Sequence, residues 1–154
     1  MVLLHRRNLL KRVLFLMLLC LALGTPRATV APQRGYRSGD LELLARLISG
    51  EARGEPYLGQ VAVGAVVINR VESPNFPNTV SEVIFQPGAF ESVSNGQIWA
   101  EPPSDTQYSA AQAALDGVDP TYGALYFWNP NLPVNPWIWT RTITLWIGKH
   151  VFGI

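Results

Sequence analysis

The stretch Leu43-Leu44-Ala45-Arg46-Leu47-Ile48-Ser49-Gly50-Glu51-Ala52-Arg53-Gly54-Glu55-Pro56 decides how the rest of the chain is read. Leu44, Leu47 and Ile48 recur at the spacing of one face of an amphipathic helix. The next position on that face is Glu51. An unpaired charge among aliphatic side chains is costly to bury. A glutamate at the rim of an apolar wall therefore has its charged form disfavoured, and its pKa is expected to rise. A carboxyl that holds its proton near neutral pH is what a general acid requires. The bland alternative for Glu51 is a helix-end carboxylate paired with Arg46 or Arg53. Glu55 lies four residues on, so a continuing helix would put both carboxylates on one face. The competing reading of Glu55 is a solvated first-turn residue of a second helix, favoured there by the helix dipole.

The 154 residues leave room for one domain. With 48% hydrophobic and 15% charged residues the chain can bury a core, which argues against disorder. Four of the 12 basic residues, Arg6, Arg7, Lys11 and Arg12, lie in the first 24 residues, and none of the 11 acids does. Residues 25–154 thus carry eight bases against 11 acids, with no basic patch to suit nucleic acid. The basic start followed by the apolar run Val13–Leu23 reads as an export signal over residues 1–24, with an uncleaved anchor as the alternative. The membrane is expected to be met only through that segment. Cys20, the one cysteine, falls inside it, so the mature chain has neither a disulfide nor a thiol nucleophile.

Residues 25–38 are a linker by composition, and residues 39–154 form the domain. Ser38 or Asp40 is expected to cap a helix over about Asp40–Glu51. Pro56 fits the first turn of a second helix running to about Val71, with Val61, Ala62, Ala65, Val66 and Ile68 on its apolar face. Thr79 or Ser81 caps a short helix through Ile84 and Phe85. Residues 87–103 read as irregular, with Phe90 and Trp99 exposed. Ser104 or Asp105 caps a further helix that ends at Gly117. Ala124–Trp128 and Thr142–Ile147 are strand candidates. The class is α+β, mostly helical, with a small antiparallel sheet near the C-terminus.

The roster of reactive groups narrows the chemistry. Outside the signal, His150 is the one histidine, so ordinary zinc sites and a Cys-His nucleophile are excluded. No Gly-x-Ser-x-Gly elbow, P-loop or dinucleotide fingerprint is present. No metal and no cofactor is expected. Carboxylates are then the natural acid and base groups, and enzymes built on them often cleave glycosidic bonds. Phe90, Trp99, Tyr126, Trp128, Trp137 and Trp139 add aromatic surface around Pro/Asn loops such as Asn129-Pro130-Asn131. Aromatic faces stack on sugars while Asn and Gln side chains bond hydroxyls. The alternative for Tyr126 and Trp128 is plain core packing, and for His150 a structural place at a strand edge. Asp116 and Asp119 read as helix-end and turn residues.

The run from Ser49-Gly50-Glu51-Ala52-Arg53-Gly54-Glu55-Pro56-Tyr57 through Gly59-Gln60-Val61-Ala62-Val63 to Ala65-Val66-Val67-Ile68-Asn69-Arg70-Val71 resembles the bacterial cell wall hydrolase family of spore cortex-lytic enzymes. So do Phe76-Pro77-Asn78-Thr79-Val80, Gln86-Pro87-Gly88-x-Phe90, Gly123-Ala124-Leu125-Tyr126-Phe127 and Ile147-Gly148-x-His150-x-Phe152. The likeness covers about residues 40–153. It implies a lysozyme-like domain that cleaves peptidoglycan glycan strands, with Glu51 as catalytic acid/base. Glu55, Gln60, Phe90, Tyr126 and Asn129 are then expected to line or support the substrate cleft. It further implies a lytic transglycosylase, in which one carboxylate suffices. A hydrolytic muramidase or glucosaminidase using Glu51 and Glu55, and a catalytically silent wall-binding domain, are the rivals. The expected molecule is an exported monomer acting outside the cytoplasm, in the cell wall or spore cortex, with peptidoglycan as its partner.

Overall fold

The computed structural model describes residues 35–154. The expected export signal, and all of the linker but residues 35–38, lie outside the described residues. Among the described residues five α-helices come first: α1 Asp40–Ala52, α2 Tyr57–Glu72, α3 Val80–Ile84, α4 Glu91–Ser94 and α5 Asp105–Leu115. Three strands follow, β1 Tyr126–Trp128, β2 Ile143–Ile147 and β3 His150–Gly153. The α+β class with a late antiparallel sheet is what the sequence led one to expect. Among the described residues no helix is long and apolar enough to cross a membrane.

Helix α1 begins differently from expectation. Neither Ser38 nor Asp40 caps it through a side chain; Gly39, at φ 101°, occupies the cap. Asp40 Oδ2 instead accepts from the Arg37 N–H at 2.7 Å, closing the turn that leads in. The acid still sits in the first turn, where the helix dipole favours it. Leu44, Leu47 and Ile48 are fully buried, so the apolar stripe faces the core as its spacing demands. Pro56 stands at the cap of α2, one residue outside the helix. Ala62 and Ala65 of α2 and Ala110, Ala111 and Ala114 of α5 are all buried, and such small side chains allow these two packed helices a close approach. Thr79 caps α3 by accepting from the Glu82 N–H at 3.2 Å. Ser104 precedes α5, and its N–H donates to Gln107 Oε1 at 2.7 Å.

Residues 87–103 are not irregular throughout. They hold α4 and a 3₁₀ turn at Gln97–Trp99. Phe90 is 3% exposed and belongs to the core, against the expectation that it lies on the surface; Trp99 is exposed and stacks on Phe85. The sheet order is β1-β3-β2, antiparallel throughout. The sequence offered no signal for β3. It has four residues, all buried, so it lacks the alternation that marks a half-exposed strand. His150 therefore opens the central strand rather than standing at an edge.

One carboxylate ties the helical layer to the sheet. Asp119 Oδ1 accepts from the Thr121 N–H (2.7 Å) and hydroxyl (2.6 Å), and Oδ2 from the Gly123 N–H (2.8 Å) and Asn69 Nδ2 (3.1 Å). Asn69, on α2, also donates to the Ala124 carbonyl at 3.0 Å, just ahead of β1. Partial burial works against the charge of Asp119, but these donors outweigh it and hold its pKa below the ordinary value of 3.8. A depressed carboxyl stabilises the fold above its unfolded pKa, and that contribution is lost as pH falls through the folded value. Asp119→Asn is expected to cost about 1.5 kcal/mol near neutral pH, since hydrogen bonds to a charged group are worth about that much. The cost should shrink below pH ~4. Urea unfolding of both proteins at several pH values measures it.

Candidate functional site

A cleft of about 550 Å³ opens between the end of α1, α4 and the sheet. Glu51 sits on its wall, in the last turn of α1 and partly buried. Its Oε1 accepts from the Ser92 N–H of α4 at 2.8 Å. Gly50 makes that bond possible. A Cβ at Gly50 would stand 2.5 Å from Ser92 Cβ, so any larger residue would push α4 away from α1. Neither expected arginine partners Glu51. Arg46 pairs with Glu42 at 2.6 Å, and Arg53 pairs with Glu101 and donates to Ser49 Oγ. Burial raises the Glu51 pKa above 4.5; the Ser92 N–H opposes the rise, and the Glu91 charge adds to it.

Glu55 also lines the cleft, but not as a helical neighbour of Glu51. The chain leaves α1 after Ala52 and turns before α2, so the i, i+4 face does not exist. Gly50, Gly54 and Pro56 are the local reasons for the break. Glu55 Oε2 accepts from the Lys149 N–H at 2.8 Å, which ties this turn to the β2–β3 turn. Gly148, at φ +57°, leaves the room: a Cβ there would lie 2.0 Å from that oxygen.

The other expected cleft residues divide. Phe90 lines the cleft from within the core, and Asn129 lines it with Oδ1 held by the Asn131 N–H. Gln60 is not a cleft residue. It is 4% exposed, and its Nε2 donates to the Glu55 carbonyl at 3.0 Å, so it supports the turn from below. Tyr126 also stays outside the lining. The strand turns its ring the other way, edge-on to Trp137 and Phe76. Its neighbours Phe127 and Trp128 line the cleft instead.

Three lining residues were passed over in the sequence. Ser92 gave no signal, since its function is a backbone N–H. His150 was read as structural; it is 7% exposed, with Nδ1 buried and unpartnered. Burial lowers its pKa below 6.5 against the pull of Glu55, so the ring is neutral at neutral pH. Arg70 did carry a signal. It continues the apolar face of Val63, Val66 and Val67, the same anomaly that marked Glu51. Among the described residues no three His, Cys, Asp or Glu side chains cluster as metal ligands.

Residues 54–153 match the family model described as Cell Wall Hydrolase. The chain is 53% identical over 129 residues to the spore cortex-lytic enzyme of Oceanobacillus iheyensis, covering 84% of this chain and 46% of that protein. It spans about half the length of the curated relatives it matches. Among solved structures it is similar to the catalytic domain of the Bacillus cereus SleB protein, at TM-score 0.72 and 50% identity, covering 85% of this chain and all of that one. It is similar too to the catalytic domain of the germination-specific lytic transglycosylase SleB from Bacillus anthracis, at TM-score 0.73 and 51% identity, covering 79% of this chain and 98% of that one.

A carboxyl whose folded pKa is raised contributes stability below its unfolded value, and that contribution is lost as pH rises through the folded value. Glu51 therefore weakens the fold at neutral pH. Glu51→Gln keeps an acceptor for the Ser92 N–H and removes the buried charge. Its melting temperature is expected to exceed that of wild type at pH 7–8, with the gain vanishing near pH 4. Thermal unfolding across that range measures it.

Proposed function

Because this chain belongs to the cell wall hydrolase family, we propose that it cleaves the glycan strands of peptidoglycan as a lytic transglycosylase, with Glu51 as the single catalytic acid/base. The observation that carries this reading is Glu51 itself: a partly buried carboxyl with a raised pKa on the wall of the cleft, one oxygen fixed by the Ser92 N–H. In the first step Glu51 gives its proton to the glycosidic oxygen, and the bond to the anomeric carbon breaks. The carboxylate then takes the proton of the muramoyl C6 hydroxyl as that oxygen attacks the same anomeric carbon. The products are a 1,6-anhydromuramoyl end and a new free hydroxyl on the leaving sugar. The acid is regenerated, and no external water enters.

Hydrolysis would need a second carboxylate to activate water or act as nucleophile. Glu55 is the candidate, yet its Oε2 is engaged by the Lys149 N–H, which fits a group that holds the turn. The printed names of the similar proteins speak of spore cortex lysis and germination, which supports cortex peptidoglycan as the substrate class. We place residues 39–154 as the catalytic domain and its work outside the cytoplasm, after export directed by residues 1–24.

Purified peptidoglycan digested by wild type and by Glu51→Gln, followed by mass spectrometry of the fragments, tests the reading. Anhydro ends are expected from wild type, with turnover at least ~100-fold lower in the variant, the usual size of a general acid/base contribution. Reducing ends would replace this reading with hydrolysis. Since Glu51 enters the first step protonated, turnover is also expected to fall as pH rises through its elevated pKa.

A further inference from the structure

Among the described residues Arg70 is a cation with no counter-charge. It closes the last turn of α2 and is 6% exposed. Its Nε donates to the Leu125 carbonyl at 2.7 Å. Its guanidinium lies 5.0 Å from the ring centre of Phe90, 5.2 Å from Phe76 and 5.7 Å from Tyr126. Those rings and one carbonyl stabilise the charge in part. Among the described residues no carboxylate pairs with it, and Nη1 and Nη2 have no protein acceptor. A buried guanidinium is ordinarily paired, because an uncompensated ion is expensive to desolvate. Burial does lower its pKa, to about 10, which still leaves it charged at neutral pH. What remains of its surface lines the same cleft as Glu51.

We propose that Arg70 is the recognition point for a carboxylate carried by the muramic residues of the glycan, bound by the two outer guanidinium nitrogens. The proposal rests on the reading of the cleft as a glycan site. A guanidinium fork matches a carboxylate better than it matches a sugar hydroxyl, and the charge supplies the counter-ion that is missing. Glu51, Glu55 and Glu91 line the cleft too. Lys149 is the other cation of the lining, and Arg70 is the one buried at the end of α2. Muramic residues alternate with an uncharged sugar along the strand. A fixed place for their carboxylate sets which of the two sugars presents its bond to Glu51.

The carboxylate has two sources, the lactyl group of a muramic residue without peptide and the stem peptide of one that has it. The test measures binding by the full chain carrying Glu51→Gln, so that strands are held uncut. Three strand preparations are compared: with stem peptides, stripped to free lactyl carboxylates, and stripped then converted to methylamides. Conversion to the methylamide is expected to weaken binding about tenfold or more. In Glu51→Gln/Arg70→Gln that difference should fall to within about twofold, and Arg70→Lys should restore part of it. Tighter binding of the stripped strands assigns the lactyl carboxylate; tighter binding of the peptide-bearing strands assigns the stem. Equal binding of methylamide and free acid overturns the proposal, as does a carboxyl dependence that survives in Arg70→Gln or a failure to bind any strand. The comparison of preparations on Glu51→Gln alone needs no change at Arg70, so it stands even if Arg70→Gln does not fold. Carboxyl-dependent binding without cleavage by wild type would sink the transglycosylase reading and leave this one. Cleavage without carboxyl dependence would sink this one alone.

Discussion

The hydrogen bond from the Ser92 N–H to Glu51 is the constraint on which the site depends. It joins a residue at the end of a long helix to a backbone donor on a four-residue one. A carboxyl at the end of the Leu44, Leu47, Ile48 stripe cannot move away from the apolar wall, because α1 is anchored by those side chains. Burial raises its pKa, and the Ser92 N–H fixes one of its oxygens. Asp119 collects four and is held firmly ionised, whereas Glu51 collects one from the backbone and retains its proton to a higher pH. The two carboxyls shift in opposite directions because Glu51 is the more deeply buried and Asp119 the more richly supplied with donors.

The cleft has two walls of different origin. The helical wall carries Glu51 and rests on the fully buried core of α1 and α2. The sheet wall carries Phe127, Trp128, Asn129 and His150. Glu55 and the Lys149 N–H pin the walls together at one end, and Asn69 with Asp119 does so near the start of β1. Both ties are charge-assisted hydrogen bonds, which fix geometry more sharply than apolar contact alone.

Much of this was legible beforehand, and the failures have local causes. Glu51 stood out because helical periodicity put a carboxylate where a leucine belonged. The same rule on α2 marks Arg70, after Val63, Val66 and Val67. The shared face of Glu51 and Glu55 failed because it assumed a helix running through Gly54 and Pro56, both breakers. Phe90 and Trp99 are nine residues apart in similar surroundings, yet one is buried and the other exposed; only tertiary packing separates them. Tyr126 stays out of the cleft while Phe127 and Trp128, next on the same strand, both line it, which strand alternation alone does not predict. β3 was silent because a fully buried short strand shows no alternation, and Ser92 because a backbone donor leaves no trace in residue type.

The sheet order has a consequence for the time course of folding. β1 pairs only with β3, so Tyr126–Trp128 finds its partner at Val151–Gly153, after a connection of more than 20 residues. Closing such a loop is entropically slow compared with forming the helices, whose contacts are nearer in sequence. The helical wall is built from contacts nearer in sequence, while the opposing wall needs the last strand between its two neighbours. An emerging chain that lacks those final residues has the helical wall without its opposite, so the cleft is completed only when the last strand is in place.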